Sequence, residues 1–198
     1  MTQAIETTES DKVAVVLSSA LRTTVFEQYL SGHKTDEESL QDYKNRTTKF
    51  KDTGAILLEN NDFNSVAIWL PPNYIMPSSI FDPSERQAEV KSKFATVAKK
   101  HGLDSTPHWE LMFIGKDPKE NKGSIRPLFD RFLKQAKIDG IPAILYAISE
   151  HAMSRYRHIG FEVLDIVIVG EGVVDKEGKE DKNGEGLKVW LMAYNYQK

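Results

Sequence analysis

Between residues 108 and 149 the chain changes its apolar period twice, and this constrains the fold more than any other feature. "HWELMFIG" (108–115) is a near-continuous apolar run of strand length. The charged stretch "KDPKENKGS" (116–124) follows, with one glycine, Gly123. Ile125, Leu128, Phe129, Phe132, Leu133 and Ala136 then recur at helical spacing up to Gly140. "PAILYAIS" (142–149) is a second buried strand. Strand, short loop, helix and strand in succession commit the chain to an α/β class, because the helix must bury its stripe on a sheet.

The rest of the chain continues the alternation. Gln3–Thr7 reads as a short first strand. Thr8 and Asp11 stand at capping-box spacing before Val13, Val16, Leu17, Ala20 and Leu21, one face of a helix. Thr35 and Glu38 open another helix that carries Leu40 and Tyr43 inward. Residues 54–60 and 65–72 are strands joined by "NDFN", and Pro71 and Pro72 stop the second because they cannot donate to a ladder. Val90, Phe94, Val97 and Ala98 mark a helix over 85–101. Ala152–His158 is a short helix closed by Gly160, and 161–169 and 187–195 are the last strands. Between them, residues 170–186 are charged and glycine-rich, and are expected to form a long exposed hairpin loop. With no repeat or linker, residues 1–198 are expected to make a single domain.

Composition excludes several functions. A net charge of -3 and a pI near 6.0 argue against nucleic acid as a partner. With no cysteine there is no thiolate nucleophile, disulfide or Cys-ligated zinc. His151 and His158 join no acidic pattern that would hold a metal. No apolar run approaches the roughly 20 residues that span a bilayer. The first residues lack a basic segment followed by an apolar one. These features suggest a soluble intracellular protein, cytoplasmic or nuclear, with no membrane partner, as a monomer or homodimer.

"WELMFIGKDP", the helix at 125–138, "DGIPAILYAIS" and "YRHIGFEV" together resemble the GNAT superfamily of acyl-CoA N-acyltransferases. The puromycin N-acetyltransferase-like subgroup and its fungal relatives are the nearest in pattern. "VAIWLPP", the "IGKDP" turn, Tyr156–Phe161 and Trp190–Met192 echo that subgroup in order and spacing over residues 54–75 and 107–195. The resemblance implies a GNAT-like fold: a mixed, strongly twisted sheet flanked by helices, splayed beside its central strand. It implies acetyl-CoA as acyl donor, with pantetheine held along Ile114, Gly115 and Lys116 through the backbone of Ile114 and Lys116. The loop Asn121, Lys122, Gly123, Ser124, Ile125 and Arg126 would face the pyrophosphate, aided by the positive end of the next helix.

That loop departs from the family's Gln/Arg-x-x-Gly-x-Gly/Ala pattern. Glu120 replaces the leading residue and Ile125 the second small one, and one residue is missing between Pro118 and Gly123. An acid there repels phosphate, and a β-branched side chain obstructs its approach to the backbone. Lys122 and Arg126 offer charge-assisted hydrogen bonds in compensation. Ala152 and Tyr146 also replace an asparagine and an acid of the subgroup, so a relative's particular substrate does not carry over.

The resemblance makes Tyr156 the general acid toward the leaving thiolate, and Glu110 the general base, acting directly or through water. Period two would put Glu110 on the same strand face as Ile114. His108 is a third candidate for proton relay, although a histidine after Pro107 is more often at the surface. Trp69 and Tyr146, with Trp109, are candidates to line the acceptor pocket. The implied function is acetyl transfer to a primary amine of a small molecule or peptide. Two alternatives remain open: a GNAT-fold binding or regulatory module with weak or lost CoA binding, and an interaction module presenting residues 170–186.

Overall fold

The computed structural model describes residues 3–32, 34–81, 84–120 and 123–197. Seven strands form one sheet: β1 (Ile5–Glu6), β2 (Ile56–Asn60), β3 (Ser65–Leu70), β4 (Trp109–Lys116), β5 (Ala143–Ala147), β6 (Glu162–Val169) and β7 (Leu187–Tyr194), ordered β1-β2-β3-β4-β5-β7-β6. Among the described residues only β4 and β5 run parallel, because the helix between them carries the chain back across the sheet. The other neighbours pair antiparallel.

Six helices cover the two faces: α1 (Ser10–Leu21), α2 (Val25–Ser31), α3 (Asp36–Asp52), α4 (Glu85–Lys100), α5 (Pro127–Asp139) and α6 (Glu150–Ile159). The capping box expected at Thr35 and Glu38 is present on α3. At α1, by contrast, the cap is Glu9 rather than Thr8, and no side chain satisfies it. The helix α2 went unread in the sequence, although Thr24 caps it by accepting from the Glu27 amide at 3.3 Å.

On one face α5 and α6 sit over a single core built on Trp69, Leu111, Phe129, Phe132, Leu145 and Met192. The opposite face carries two separate cores. Val13, Leu17, Phe50 and Ile68 form one under α1 and α3, while Val97, Ile144, Val169 and Leu191 form the other under α4. The seam between them falls where β4 meets β5.

The 170–186 segment joins the antiparallel strands β6 and β7 and is mostly exposed, as expected of a hairpin loop, but it is not wholly solvated. Val174 is buried and pairs with Glu180 across an isolated bridge. The Gly170 amide donates to Glu89 Oε1 of α4 at 3.0 Å, and Glu89 also accepts from the Tyr29 hydroxyl of α2. Glycines let the chain turn tightly enough to put one valine inward while the charges stay outside. At Gly184 an added Cβ would lie 2.1 Å from the Val174 carbonyl oxygen.

Strand β4 takes its shape from α1. A Cβ on Gly115 would stand 3.0 Å from Ala20 Cβ and 3.2 Å from Leu17 Cδ2, so this glycine lets the helix lie directly on the strand. Gly115→Ala is therefore expected to lower unfolding free energy by about 1–3 kcal/mol through overpacking. Urea unfolding measures this, and an unchanged midpoint would contradict the contact.

Candidate active site

The pairing of β4 with β5 is short. Trp109, Glu110 and Leu111 match Ala143, Ile144 and Leu145, and no further pairs follow. Beyond that point β4 continues along β3 to Lys116, while β5 continues along β7 to Ala147. The strands therefore part after Leu111 and Leu145. The alternate amides and carbonyls of residues 112–116 that face away from β3 have no strand to bond, which is a sheet edge inside the sheet.

A bulge accompanies the parting. Ile68 pairs with Phe113 and Trp69 with Leu111, which leaves Met112 as the extra residue on β4. It breaks the period of two. Leu111 and Ile114, three residues apart, both face the α5–α6 core, while Met112 and Phe113 face the α1–α3 core. Glu110 pairs with Leu70, a member of that second core, and so lies on the face opposite Ile114. The shared face expected from simple alternation is corrected by this one inserted residue.

Glu110 sits at the seam between the two cores, at the inner end of a cleft of about 220 Å³ whose wall also includes His108. Its carboxyl keeps contact with the cleft but is enclosed by protein, and burial alone raises its pKa to about 7. Among the described residues it has no hydrogen-bond or ion-pair partner. A half-buried carboxyl titrating near neutrality is suited to taking a proton from an amine. His108 stands in the wall of the same cleft, and its Nδ1 makes an exposed contact of 2.8 Å with the Thr106 carbonyl. A carbonyl can only accept, so Nδ1 carries the proton and a neutral ring leaves Nε2 as an acceptor.

Tyr156 lies on the other face, in α6. Its ring packs 5.9 Å from Phe129 and 6.4 Å from Phe161, and burial pushes its phenol up to about 12. Such a phenol stays protonated, which suits a donor rather than a base. No residue of α6 is fully buried, although Ala152, Met153, Tyr156 and Ile159 all touch the core. This helix covers the α5 side of the opening only partly.

The loop at 117–126 is placed after β4, at the mouth of the splay. Asn121 and Lys122 lie outside the described residues. Gly123 adopts φ +102°, and the Lys116 ammonium donates to its carbonyl at 3.2 Å. Ile125 turns inward against the α5 core and does not obstruct the loop. The start of α5 offers few free amides, however. Arg126 donates to Ser124 Oγ at 3.1 Å, Leu128 to the Ile125 carbonyl at 3.1 Å and Phe129 to the Arg126 carbonyl at 3.0 Å, and Pro127 has no N–H. The Arg126 side chain pairs with Asp130 at 2.7 Å, an exposed i,i+4 contact worth about 0.3–0.5 kcal/mol and readily exchanged.

Of the two expected pocket residues, Trp69 is sealed in the core and Tyr146 is half-buried near Glu110. Trp69 is fully buried, stacked on Phe132 at 4.8 Å with its indole N–H donating to the Leu128 carbonyl at 3.0 Å, so it is core and not acceptor wall. Tyr146 stacks on Phe94 at 3.9 Å and donates its hydroxyl to the Phe94 carbonyl at 3.3 Å. It stays close enough to Glu110 for that charge to raise its pKa further, after burial.

The raised Glu110 pKa has a stability consequence. Between its ordinary value of 4.5 and about 7 the folded protein keeps a proton that the unfolded chain has released. Stability from this group therefore falls as pH rises through that window and stays lower above it. Glu110→Gln removes the dependence, so its Tm should match the parent near pH 4.5 and exceed it near pH 8, by roughly 2–4 °C per kcal/mol. A Tm difference that does not change with pH would contradict the assignment.

Residues 5–75 match a family described as the YOR012W acetyl transferase domain. A Saccharomyces cerevisiae relative, the uncharacterized protein YDR391C, is 31% identical over 140 residues, taking in 69% of this chain and 60% of its own length. The chain thus spans less than two thirds of that relative. Among solved structures, the C-terminal condensation domain of Ebony in complex with beta-alanyl-dopamine superposes with a TM-score of 0.69 at 11% identity, covering 98% of each chain. The Corynebacterium glutamicum structure described as histone acetyltransferase HPA2 and related acetyltransferase gives 0.59 at 15% identity, covering 100% of this chain and 98% of that one. With its seven-stranded mixed sheet, one parallel pair and a central splay, the chain has a GNAT-like fold.

Proposed function

We propose that this protein is an acetyl-CoA-dependent N-acetyltransferase that acetylates a primary amine by direct attack. The observation that carries the reading is the opening of β4 from β5 beyond Leu111 and Leu145, with Glu110 on one face and Tyr156 on the other. The free backbone edge of residues 112–116 suits the amide-rich pantetheine arm, as a strand suits a strand. The incompletely covered α6 leaves room for it against Ala152, Met153 and Tyr156. Acetyl-CoA supplies a thioester carbon for the amine to attack. Glu110, directly or through a water, accepts the amine's proton; Tyr156 protonates the departing thiolate sulfur. Amides along β4 offer hydrogen bonds to the developing oxyanion. The acetyltransferase description of the matching family supports the same chemistry.

A second reading, a GNAT-fold module with weak CoA binding, is favoured by the spent amides at the start of α5 and by Glu120 at 3.4 Å from Asn64 Nδ2 beside Gly123. In the first reading Lys116, Lys122 and Arg126 carry the phosphates by charge, so affinity should fall with salt.

Calorimetric titration with acetyl-CoA separates the two. Micromolar binding that weakens with salt, and about 10–100-fold loss of affinity in Lys116→Ala/Arg126→Ala, is expected from one or two lost charged hydrogen bonds. Tyr156→Phe should leave that affinity intact and lower kcat roughly 10²-fold. Absence of binding at millimolar acetyl-CoA would leave only the second reading.

A further inference from the structure

The cleft that ends at Glu110 has its own chemistry. One wall is the end of β3 and the turn after it, with Leu70, Tyr74 and Met76; the other is the segment leading into β4, with Leu103, Thr106 and His108. Both walls are tied down. The Tyr74 amide donates to the Pro71 carbonyl at 3.1 Å, its hydroxyl bonds to Thr53, and Thr106 Oγ1 donates to the Gly102 carbonyl at 2.7 Å. Ile75, 86% exposed between two wall residues, extends the apolar surface outward. Two carboxyl groups, Asp104 and Glu110, line the cleft, and no lysine or arginine does so among the described residues.

Such a lining discriminates by charge. It attracts an ammonium and gives its stem leucine, methionine and tyrosine side chains to pack against. A carboxylate entering the same space would meet like charge with no cation to pair it. The cleft is small, about 220 Å³. A compact amine, with a single ring or a short chain, suits it.

We infer that this cleft admits the acceptor and selects small primary amines without an adjacent carboxylate, such as an arylalkylamine or a diamine, over the corresponding amino acids. The fate of the amine rests on the acetyl-transfer reading; its binding does not. Glu110 and the free Nε2 of His108 give the cleft two proton acceptors, and an ammonium must shed a proton before its nitrogen can attack.

The test uses the whole chain with 13C-labelled methionine, leucine and threonine methyls, titrated without acetyl-CoA. The probes are tyramine against tyrosine and putrescine against ornithine. The amines should shift the methyls of Leu70, Met76, Leu103 and Thr106, and each amino acid should bind about tenfold more weakly or worse. Thr106→Arg, which puts a cation on the exposed rim, should weaken amine binding about tenfold and narrow the gap; Asp104→Asn should act in the same direction. No shift at these methyls with either amine, or equal affinity within each pair, overturns the inference. Acetyl-transfer assays with the same probes separate the two readings. Methyl shifts without turnover leave the cleft standing and remove the transferase, whereas turnover without methyl shifts moves the acceptor elsewhere and overturns the cleft.

Discussion

The extra residue at Met112 sets the geometry on which everything else in the structure depends. A bulge bends its strand and sharpens the local twist, and here it falls one residue after the last β4–β5 pair. A flat β4 would continue pairing with β5 and leave no opening. The bend is held from one side by α1, which reaches the backbone of Gly115, and from the other by the ladder to β3. The facing of Glu110 follows from this one inserted residue, and the splay and free backbone edge begin beside it.

The same bend divides the helical layer beneath the sheet. Cores under α1–α3 and under α4 do not merge, and the seam between them is where a polar group can reach the interior without being sealed there. Glu110 occupies that seam with no partner among the described residues, a costly placement that lowers stability at neutral pH. Its retention is understandable if the carboxyl has work to do, since pairing it with a lysine or arginine would lower its pKa and remove it as a base near neutrality. Tyr156, on the far face, is displaced in the same direction and from a higher starting value, so burial keeps its proton on. The two groups lie on opposite faces of the sheet, and under the proposed function they would divide proton removal from proton return.

Most of the architecture was legible because it depends on short-range rules. The Thr35–Glu38 cap, the stripe on α5 and the stop at Gly140 are each written within a few residues of one another. The Thr24–Glu27 spacing carried the same kind of signal for α2. What could not be read depends on partners distant in sequence. Bulging of Met112 is a property of β3 and β4 together, and it reversed the expected relation of Glu110 to Ile114. Trp69 has a composition consistent with a pocket wall, and only its stack on Phe132 and bond to Leu128 make it core. The 170–186 segment is mostly exposed, as its charge suggested, yet Glu89, 81 positions earlier, anchors its first amide. His108 gained interest only through the cleft it shares with Glu110.

Amide hydrogen exchange along β4, measured by NMR with and without acetyl-CoA, tests the central claim most directly. If the splay receives the pantetheine arm, the exchanging amides among residues 112–116 on the β5 side become protected, while those paired to β3 are unchanged. Uniform exchange in both states, under conditions where acetyl-CoA is bound, would mean that the opening in the sheet is not the donor site.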